Sequence, residues 1–525
     1  MSGGGGPQRP GLRLAELVSA LSLGIDLGFG QPMEHVLRQC MVALRMAERL
    51  GLDDDERLVV YYTALLVGVG CHTDAHEQAK WFGDDIAMKS GKYAHELGSL
   101  RGAVAGLRLI GSGRPPLHRF RVGLEFALSG HREVDRMIAG HAAMAQGLAA
   151  DLGLPRGVQQ ALGASYEQWD GKGWPGALTG EAIPVAARLA HMAEFLEVAH
   201  RLGGVPAVVE LTRTRTGRQF DPGLCVLVQD EAGELFRSLD DARTWDAVID
   251  AEPALGVQLT QDEFDQALRA IADFVDLKTP SLLGHAGAVA DLVSGAGGDV
   301  GLSADELRTL RRAGWAHGLG RLGISNSIWD KPGPLGAGEW ERVRLQPYLT
   351  ERMLEQSTGL AGVGAIAVQL RERLDGSGYP RALRGSAIST PARILAAADA
   401  YQARCEPRPH RPAMEPDAAA RAVREEVRGG RLDGTAVEAV LVAAGHRSRR
   451  RRSEVAGLTA REIDVLRLVA GGMTNKEIAS ALVISPKTAR NHVEHIYTKI
   501  GVTSRVAASL FAVQHGLLPA NAAEV

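Results

Sequence analysis

At 525 residues, of which 45% are hydrophobic and 23% charged, the chain is too long for one domain and too apolar for intrinsic disorder. A formal net charge of −3 hides an asymmetry: residues 447–516 hold twelve Lys/Arg against five Asp/Glu, a net +7, so the remainder carries −10. Four scattered cysteines (Cys40, Cys71, Cys225, Cys405) exclude a disulfide framework, and the lack of a membrane span or secretory apolar region predicts a cytoplasmic protein with no membrane partner.

Residues 1–10 are Gly-rich and read as disordered. Beyond them Ala, Leu, Arg and Glu dominate while β-branched and aromatic runs are scarce, which predicts an all-α protein. The upstream part repeats itself. Residues 169–194 align without gaps on 374–399 at an offset of 205, with twelve identities in twenty-six positions, among them Asp170/Asp375, Gly173/Gly378, Pro175/Pro380 and Arg188/Arg393. Earlier in each copy the offset is 250, pairing His35 with His285 and Gly68-Val69-Gly70 with Gly318-Leu319-Gly320. Copy one is expected over 11–250 and copy two over 256–445. The change of offset gives copy one about 45 extra residues near 71–115. That insertion contains Cys71, His72 and His76, an i, i+4 His pair that suits a transition metal, although a polar covering helix is the favoured reading. Arg188 and Arg393 are placed to tie the Asp-Gly-x-Gly-x-Pro loop of each copy to its bundle.

A basic linker follows over 446–456, with Arg447 and Arg449 to Arg452 suited to phosphate contact and salt-dependent binding. Residues 457–525 then read as a compact helical unit. Thr459 with Glu462, and Thr474 with Glu477, form two capping boxes, each a helix start. Ser485 is an N-cap with Pro486 at the first helical position, and Gly501 ends that helix about four turns later. Ala489, Val493, Ile496 and Ile500 should face the core, leaving Lys487, Arg490, Asn491 and Glu494 on the other face. Two helices meeting at a tight turn, the second with basic and amide side chains near its start, form the geometry that reads a major groove, so double-stranded DNA is the predicted partner. Arg490 suits guanine and Asn491 adenine, while Lys487, Thr488, Lys499 and Arg505 suit phosphate. Glu494 either reads cytosine or repels phosphate. Asn475 and Lys476 complete the predicted contact set.

The motifs Leu-Thr-x-Arg-Glu at 458–462, Thr-Asn-Lys-Glu-Ile-Ala at 474–479, Ser-Pro-Lys-Thr at 485–488 and Lys-Ile-Gly-Val-x-Ser-Arg at 499–505 resemble the LuxR-type helix-turn-helix. The resemblance implies a transcriptional regulator with its third helix in the groove and a fourth helix, here from Thr503 to Gln514, supporting dimerisation. Half-site recognition by so small a unit also predicts a homodimer.

In copy two, His317-Gly-Leu-Gly-Arg321, Lys331-Pro-Gly-Pro-Leu335, Glu372-Arg-Leu-Asp-Gly-Ser-Gly-Tyr-Pro380 and Arg393-Ile-Leu-Ala-Ala-Ala-Asp399 together resemble the HD-GYP division of the HD-domain phosphohydrolases. That resemblance implies a helical bundle in which clustered His and carboxylate ligands hold two or three iron or manganese ions that cleave cyclic di-GMP. Residue by residue, the ligand set is depleted. His285, His317 and Asp399 match. Ser281 replaces an acidic residue, Gly318 the bridging Asp, Arg321 a Lys, Gln346 a His, and Leu370 and Arg371 an adjacent His pair. The aligned positions of copy one read His35, Val67, Gly68, Cys71, His141, Ser165, Tyr166 and Glu194. At most one divalent ion on His285, His317 and Asp399 is expected, and otherwise no cofactor. The resulting expectation is two tandem degenerate HD-type bundles that sense or scaffold without hydrolysis, open to a small-molecule or nucleotide effector, followed by a DNA-binding domain. The alternative is a metal-dependent phosphohydrolase, cyclic di-GMP phosphodiesterase-like, with an accessory DNA-binding domain.

Overall fold

The structure, a computed structural model, describes residues 12–93, 109–111, 115–126, 131–239, 244–253, 258–446, 458–514 and 517. The N-terminal ten residues, the basic run at 447–452 and part of the copy-one insertion lie outside these. Among the described residues the architecture is all-α: β pairing is confined to three isolated bridges. No single described helix is long and apolar enough to cross a membrane. Residues 1–446 form one compact unit and 447–525 another.

The helices that position the sites of the first unit are α1 (Leu14–Gly28), α2 (His35–Arg49), α3 (Asp54–Leu66), α4 (Ala75–Phe82), α5 (Asp85–Ser90), α6 (His131–Asp151), α7 (Val185–Arg215), α8 (Gln261–Asp276), α9 (His285–Val300), α10 (Ala304–Ala316), α11 (Ala337–Leu354) and α12 (Thr390–Cys405). The repeat seen in the sequence is a repeat of local physics. α3 opens with the Asp53–Glu56 capping box and α10, 250 residues later, with Ser303–Glu306. The buried carboxylates Asp26 and Asp276, again 250 apart, accept the first backbone N–H groups of α2 and α9, from Val36 at 2.9 Å and Ala286 at 2.8 Å. Glu167 and Glu372, 205 apart, bind the backbone of the two Pro-containing loops, Glu167 accepting from Gly176, Ala177 and Leu178 and Glu372 from Arg381 and Leu383. Arg393 ties its loop to the bundle through the carbonyls of Gly385 and Ile388, and through Asp433; Arg188 pairs with Asp221.

The two copies are fused through one apolar core. α1, at the start of copy one, lies against the 3-10 turn Leu319–Gly323 and α11 of copy two. The fit leaves no slack: a Cβ on Gly24 would lie 2.7 Å from a Leu322 methyl and one on Gly323 3.1 Å from Leu27.

A second tie is electrostatic. Asp85, at the start of α5 in the insertion, is fully buried and accepts from Lys89 (3.1 Å), from Lys278 (3.3 Å), and from the Ser325 hydroxyl (2.7 Å) and Asn326 N–H (2.8 Å) of copy two. Burial opposes its ionisation, but the two ammonium groups and these donors hold the carboxyl below the usual carboxylate range. Burial pulls the Lys278 amine down to about 8 despite the attraction of Asp85. Because Asp85 is more acidic folded than unfolded, its contribution is present at neutral pH and lost as pH falls below the carboxylate range. Asp85→Ala strands two buried ammonium groups and is expected to cost about 3–5 kcal/mol, read as the shift in urea unfolding at neutral pH.

Candidate functional sites

The C-terminal unit contains α13 (Ala460–Ala470), α14 (Asn475–Leu482), α15 (Pro486–Ile500) and α16 (Arg505–Gln514) around its own core of Leu466, Ile478, Ala489, Val493 and Ile496. Both predicted capping boxes form. Thr459 and Thr474 accept from the N–H groups of Glu462 and Glu477, whose carboxylates accept in return at 2.6 Å. Ser485 caps α15 by accepting from Thr488 N–H at 3.0 Å, and Gly501 ends it at φ +68°. The turn between α14 and α15 is made by Val483, which adopts a left-handed φ of +53° although it is β-branched, with its side chain in solvent.

On α15 the side chains of Lys487, Thr488, Arg490, Asn491 and Glu494 are all exposed, with Lys476 exposed on α14 and Asn475 half-buried. Arg490 Nε donates to Glu494 Oε1 at 2.9 Å, an exposed i, i+4 pair. Two of the predicted phosphate-binding side chains serve the scaffold as well. Lys499 Nζ lies 2.7 Å from the buried Glu462 carboxylate, and Arg505 donates to the Met473 carbonyl. Burial disfavours the Glu462 anion, but Lys499 and the Thr459 donors outweigh that and hold its carboxyl at about 2. Sequence spacing placed Lys499 and Arg505 near a DNA face without revealing these internal partners.

In copy two, ligand atoms of His285, His317 and Asp399 converge to within 4.8 Å of one another, all three residues being buried. His285 Nε2 is 3.3 Å from Asp399 Oδ1, and its Nδ1 is 2.8 Å from Glu406, a carboxylate that sequence reasoning missed because it falls past the end of α12. His317 Nδ1 meets the Gly314 carbonyl at 2.6 Å. Two guanidinium groups complete the cluster. Arg371 donates to both Asp399 oxygens, at 2.8 and 3.4 Å, and Arg321 Nη2 lies 3.3 Å from His317 Nε2, with its Nη1 3.5 Å from Asp276. A Cβ on Gly318 would sit 3.1 Å from Arg321 Nη1, so the guanidinium lies directly against this glycine. Burial raises Asp399, but Arg371, His285 and His317 hold its carboxyl well below the usual range; burial and Arg321 push His317 well below the usual imidazole value. Three donors, one engaged by a guanidinium and another facing one, do not fit a two-metal centre. Gln346 donates to the His317 carbonyl at 2.5 Å and Leu370 is buried in the apolar core, so neither supplies a ligand.

Copy one is arranged differently. His35 pairs with Glu197, which also binds Arg38 at 2.9 Å; Glu194 accepts from Tyr93 at 2.9 Å and pairs with Lys92. His141 lies between two protein groups, its Nδ1 3.4 Å from Cys71 Sγ and its Nε2 2.8 Å from the Asp74 carboxylate as a charge pair. The His72/His76 pair of the insertion does not share a face. His72 is buried at the end of a 3-10 turn against Phe29, while His76 on α4 binds Asp330 of copy two at 2.9 Å; α4 is amphipathic rather than a polar cover, with Trp81 and Phe82 buried.

A fused pair of helical bundles with residual His and carboxylate positions, joined to a four-helix DNA-reading unit, defines the class. Residues 131–205 and 269–436 match the HD domain model, and 456–512 match that of the bacterial regulatory proteins of the luxR family. The chain is 30% identical over 412 residues to the 3'3'-cGAMP-specific phosphodiesterase 3 of Vibrio cholerae, covering 77% of this chain and 89% of that protein. A crystal structure of a V. cholerae cyclic GMP-AMP-specific phosphodiesterase superposes with a TM-score of 0.56 at 26% identity, over 83% of this chain and 98% of that one. The response regulator VraR of Staphylococcus aureus is 42% identical over 79 residues, 15% of this chain and 38% of its own. The chain therefore belongs to the HD-domain family of these phosphodiesterases and carries a LuxR-type DNA-binding domain.

Arg371→Ala leaves the buried Asp399 without its guanidinium and is expected to cost about 3–5 kcal/mol at neutral pH. Asp399 is more acidic folded than unfolded, so its contribution is lost on acidification. The stability gap between wild type and variant should therefore narrow below the usual carboxylate range, as urea midpoints across a pH series will register.

Proposed function

We propose that this chain is a cytoplasmic, sequence-specific transcriptional regulator in which HD-type repeats, copy one over 11–250 and copy two over 256–445, sense or scaffold without hydrolysis. The observation that carries this reading is the pair Arg321 and Arg371. Covalently tethered cations stand beside His317 and Asp399, where a phosphodiesterase of this family needs exchangeable ions. The effector class suggested by the relatives is a 3'3'-linked cyclic dinucleotide, held in the old cleft and left uncut. A ligand favouring one arrangement of the fused bundle would alter how two DNA-binding units are presented in a homodimer.

Hydrolysis is the second reading, favoured by the similarity to cGAMP phosphodiesterase 3 over most of both chains. The two readings part in one assay. Purified full-length protein supplied with manganese or iron is expected to retain substoichiometric metal and to leave 3'3'-cGAMP and cyclic di-GMP intact; stoichiometric metal with turnover selects the enzyme.

For DNA, Lys487, Thr488, Arg490, Asn491 and Glu494 form the reading face, with Asn475, Lys476, Lys499 and Arg505 flanking it. Arg490→Ala in the full chain is expected to cost on the order of 1–3 kcal/mol on the operator and to relax specificity at one base pair, whereas neutralising Arg449 to Arg452 weakens all sequences alike and flattens the salt slope. Titrations at several salt concentrations, on operator and on scrambled DNA, separate these effects.

A further inference from the structure

Copy one holds a cluster that its place in the family does not explain. Cys71 ends up beside His141 although seventy residues separate them in sequence, because the 3-10 turn Val69–His72 crosses α6 in backbone contact: a Cβ on Gly70 would lie only 2.1 Å from the His141 carbonyl. The sulfur sits 3.4 Å from His141 Nδ1 and 3.0 Å from the Tyr166 hydroxyl, and Asp74 holds the far side of the imidazole at 2.8 Å. A ring facing a sulfur on one nitrogen and a carboxylate on the other is best satisfied as an imidazolium, which carries an N–H on each. Cys71, His141 and Asp74 thus form a nucleophile, base and orienting carboxylate in series.

The charges around the sulfur agree. Burial opposes ionisation of Cys71, but His141, Lys92 and the Tyr166 hydroxyl overcome it and bring the thiol below its usual value. Burial likewise disfavours the His141 cation, and the sulfur and Asp74 reverse that and raise it. Asp74, Glu194 and Tyr93 beyond Tyr166, and His72 from the same turn are further titratable groups nearby. The remaining cysteines Cys40, Cys225 and Cys405 are all displaced the opposite way by burial, although Cys405 is the more exposed thiol.

We propose that Cys71 is a peroxide-reactive site, its thiolate held by His141 and Asp74 and oxidised by hydrogen peroxide or a small organic hydroperoxide to the sulfenic acid. The thiolate sulfur attacks one peroxide oxygen, the S–O bond forms as the O–O bond breaks, and sulfur loses two electrons to the peroxide. The leaving hydroxide takes the proton of the His141 imidazolium and departs as water, leaving a neutral imidazole. Cys71 keeps 8% of its surface exposed, consistent with access limited to oxidants of this size. The product loses the thiolate–imidazolium attraction that joins the turn to α6.

The test treats the full-length protein with hydrogen peroxide at neutral pH, quenches in denaturant containing dimedone, and maps the four cysteines by mass spectrometry. Cys71 is expected to react at least about tenfold faster than Cys405, because an ordinary thiol is only a few per cent ionised at that pH. His141→Gln should slow Cys71 about tenfold or more, and Asp74→Asn, a milder change at a partly exposed side chain, should slow it in the same direction. Far-UV circular dichroism confirms that each variant is folded. Faster labelling of Cys405, protection of Cys71 until the chain is unfolded, or an unchanged Cys71 rate in folded Asp74→Asn overturns the proposal.

Discussion

Both HD-type centres depend on one steric constraint, the crossing of a glycine turn over a helix at backbone contact. In copy one a Cβ on Gly70 would lie 2.1 Å from the His141 carbonyl; in copy two a Cβ on Gly320 would lie 2.1 Å from that of Gln346. No side chain fits between, so the residue after each glycine is delivered to the same place. In copy one that residue is Cys71 and it meets an imidazole. In copy two it is Arg321, and Gln346 turns instead to the His317 carbonyl. The crossing is a packing requirement that does not depend on which side chains line the cleft.

Electrostatics explains how copy two tolerates buried carboxylates. Asp276, Asp399 and Glu406 would be costly to bury as unpaired anions. Arg371 grips Asp399 and Arg408 lies 2.7 Å from Glu406, whereas Asp276, with Arg321 3.5 Å away, is held above the usual carboxylate range by burial. A guanidinium is charged throughout the accessible pH range and cannot dissociate from the chain, so it supplies the balancing charge without the open coordination sites an ion offers to water.

Much of this was legible locally. Capping boxes, the Pro-Gly punctuation of α15 and the offset repeat all reside in short windows, and the departures from the family pattern at Gly318, Gln346, Leu370 and Arg371 stand at single positions of the sequence. The interactions that remained hidden join distant segments. Asp85 meets Lys278 and Ser325 across about two hundred residues, α1 packs on a turn three hundred residues away, and Glu406 reaches His285 from beyond a helix end. Nothing in the spacing of those residues announces a partner, since burial rather than periodicity brings them together. The same holds for His141, which meets Cys71 and Asp74 from about seventy residues away, a distance that made His72 and His76 look like the more natural pair.

The DNA-reading helix carries a related ambiguity with a physical resolution. Arg490 in the free protein is occupied by Glu494, yet an exposed i, i+4 pair is worth only about 0.3–0.5 kcal/mol, far less than a bidentate contact to guanine at about 1–3 kcal/mol. With the proposed guanine contact, exchange of partners would be downhill when the correct base is present. On a phosphate the balance differs, because releasing Arg490 brings a freed Glu494 carboxylate toward a like charge. With DNA contacts as proposed, the pair would disfavour nonspecific binding more than specific binding, so that Glu494 would act as a source of discrimination through Arg490.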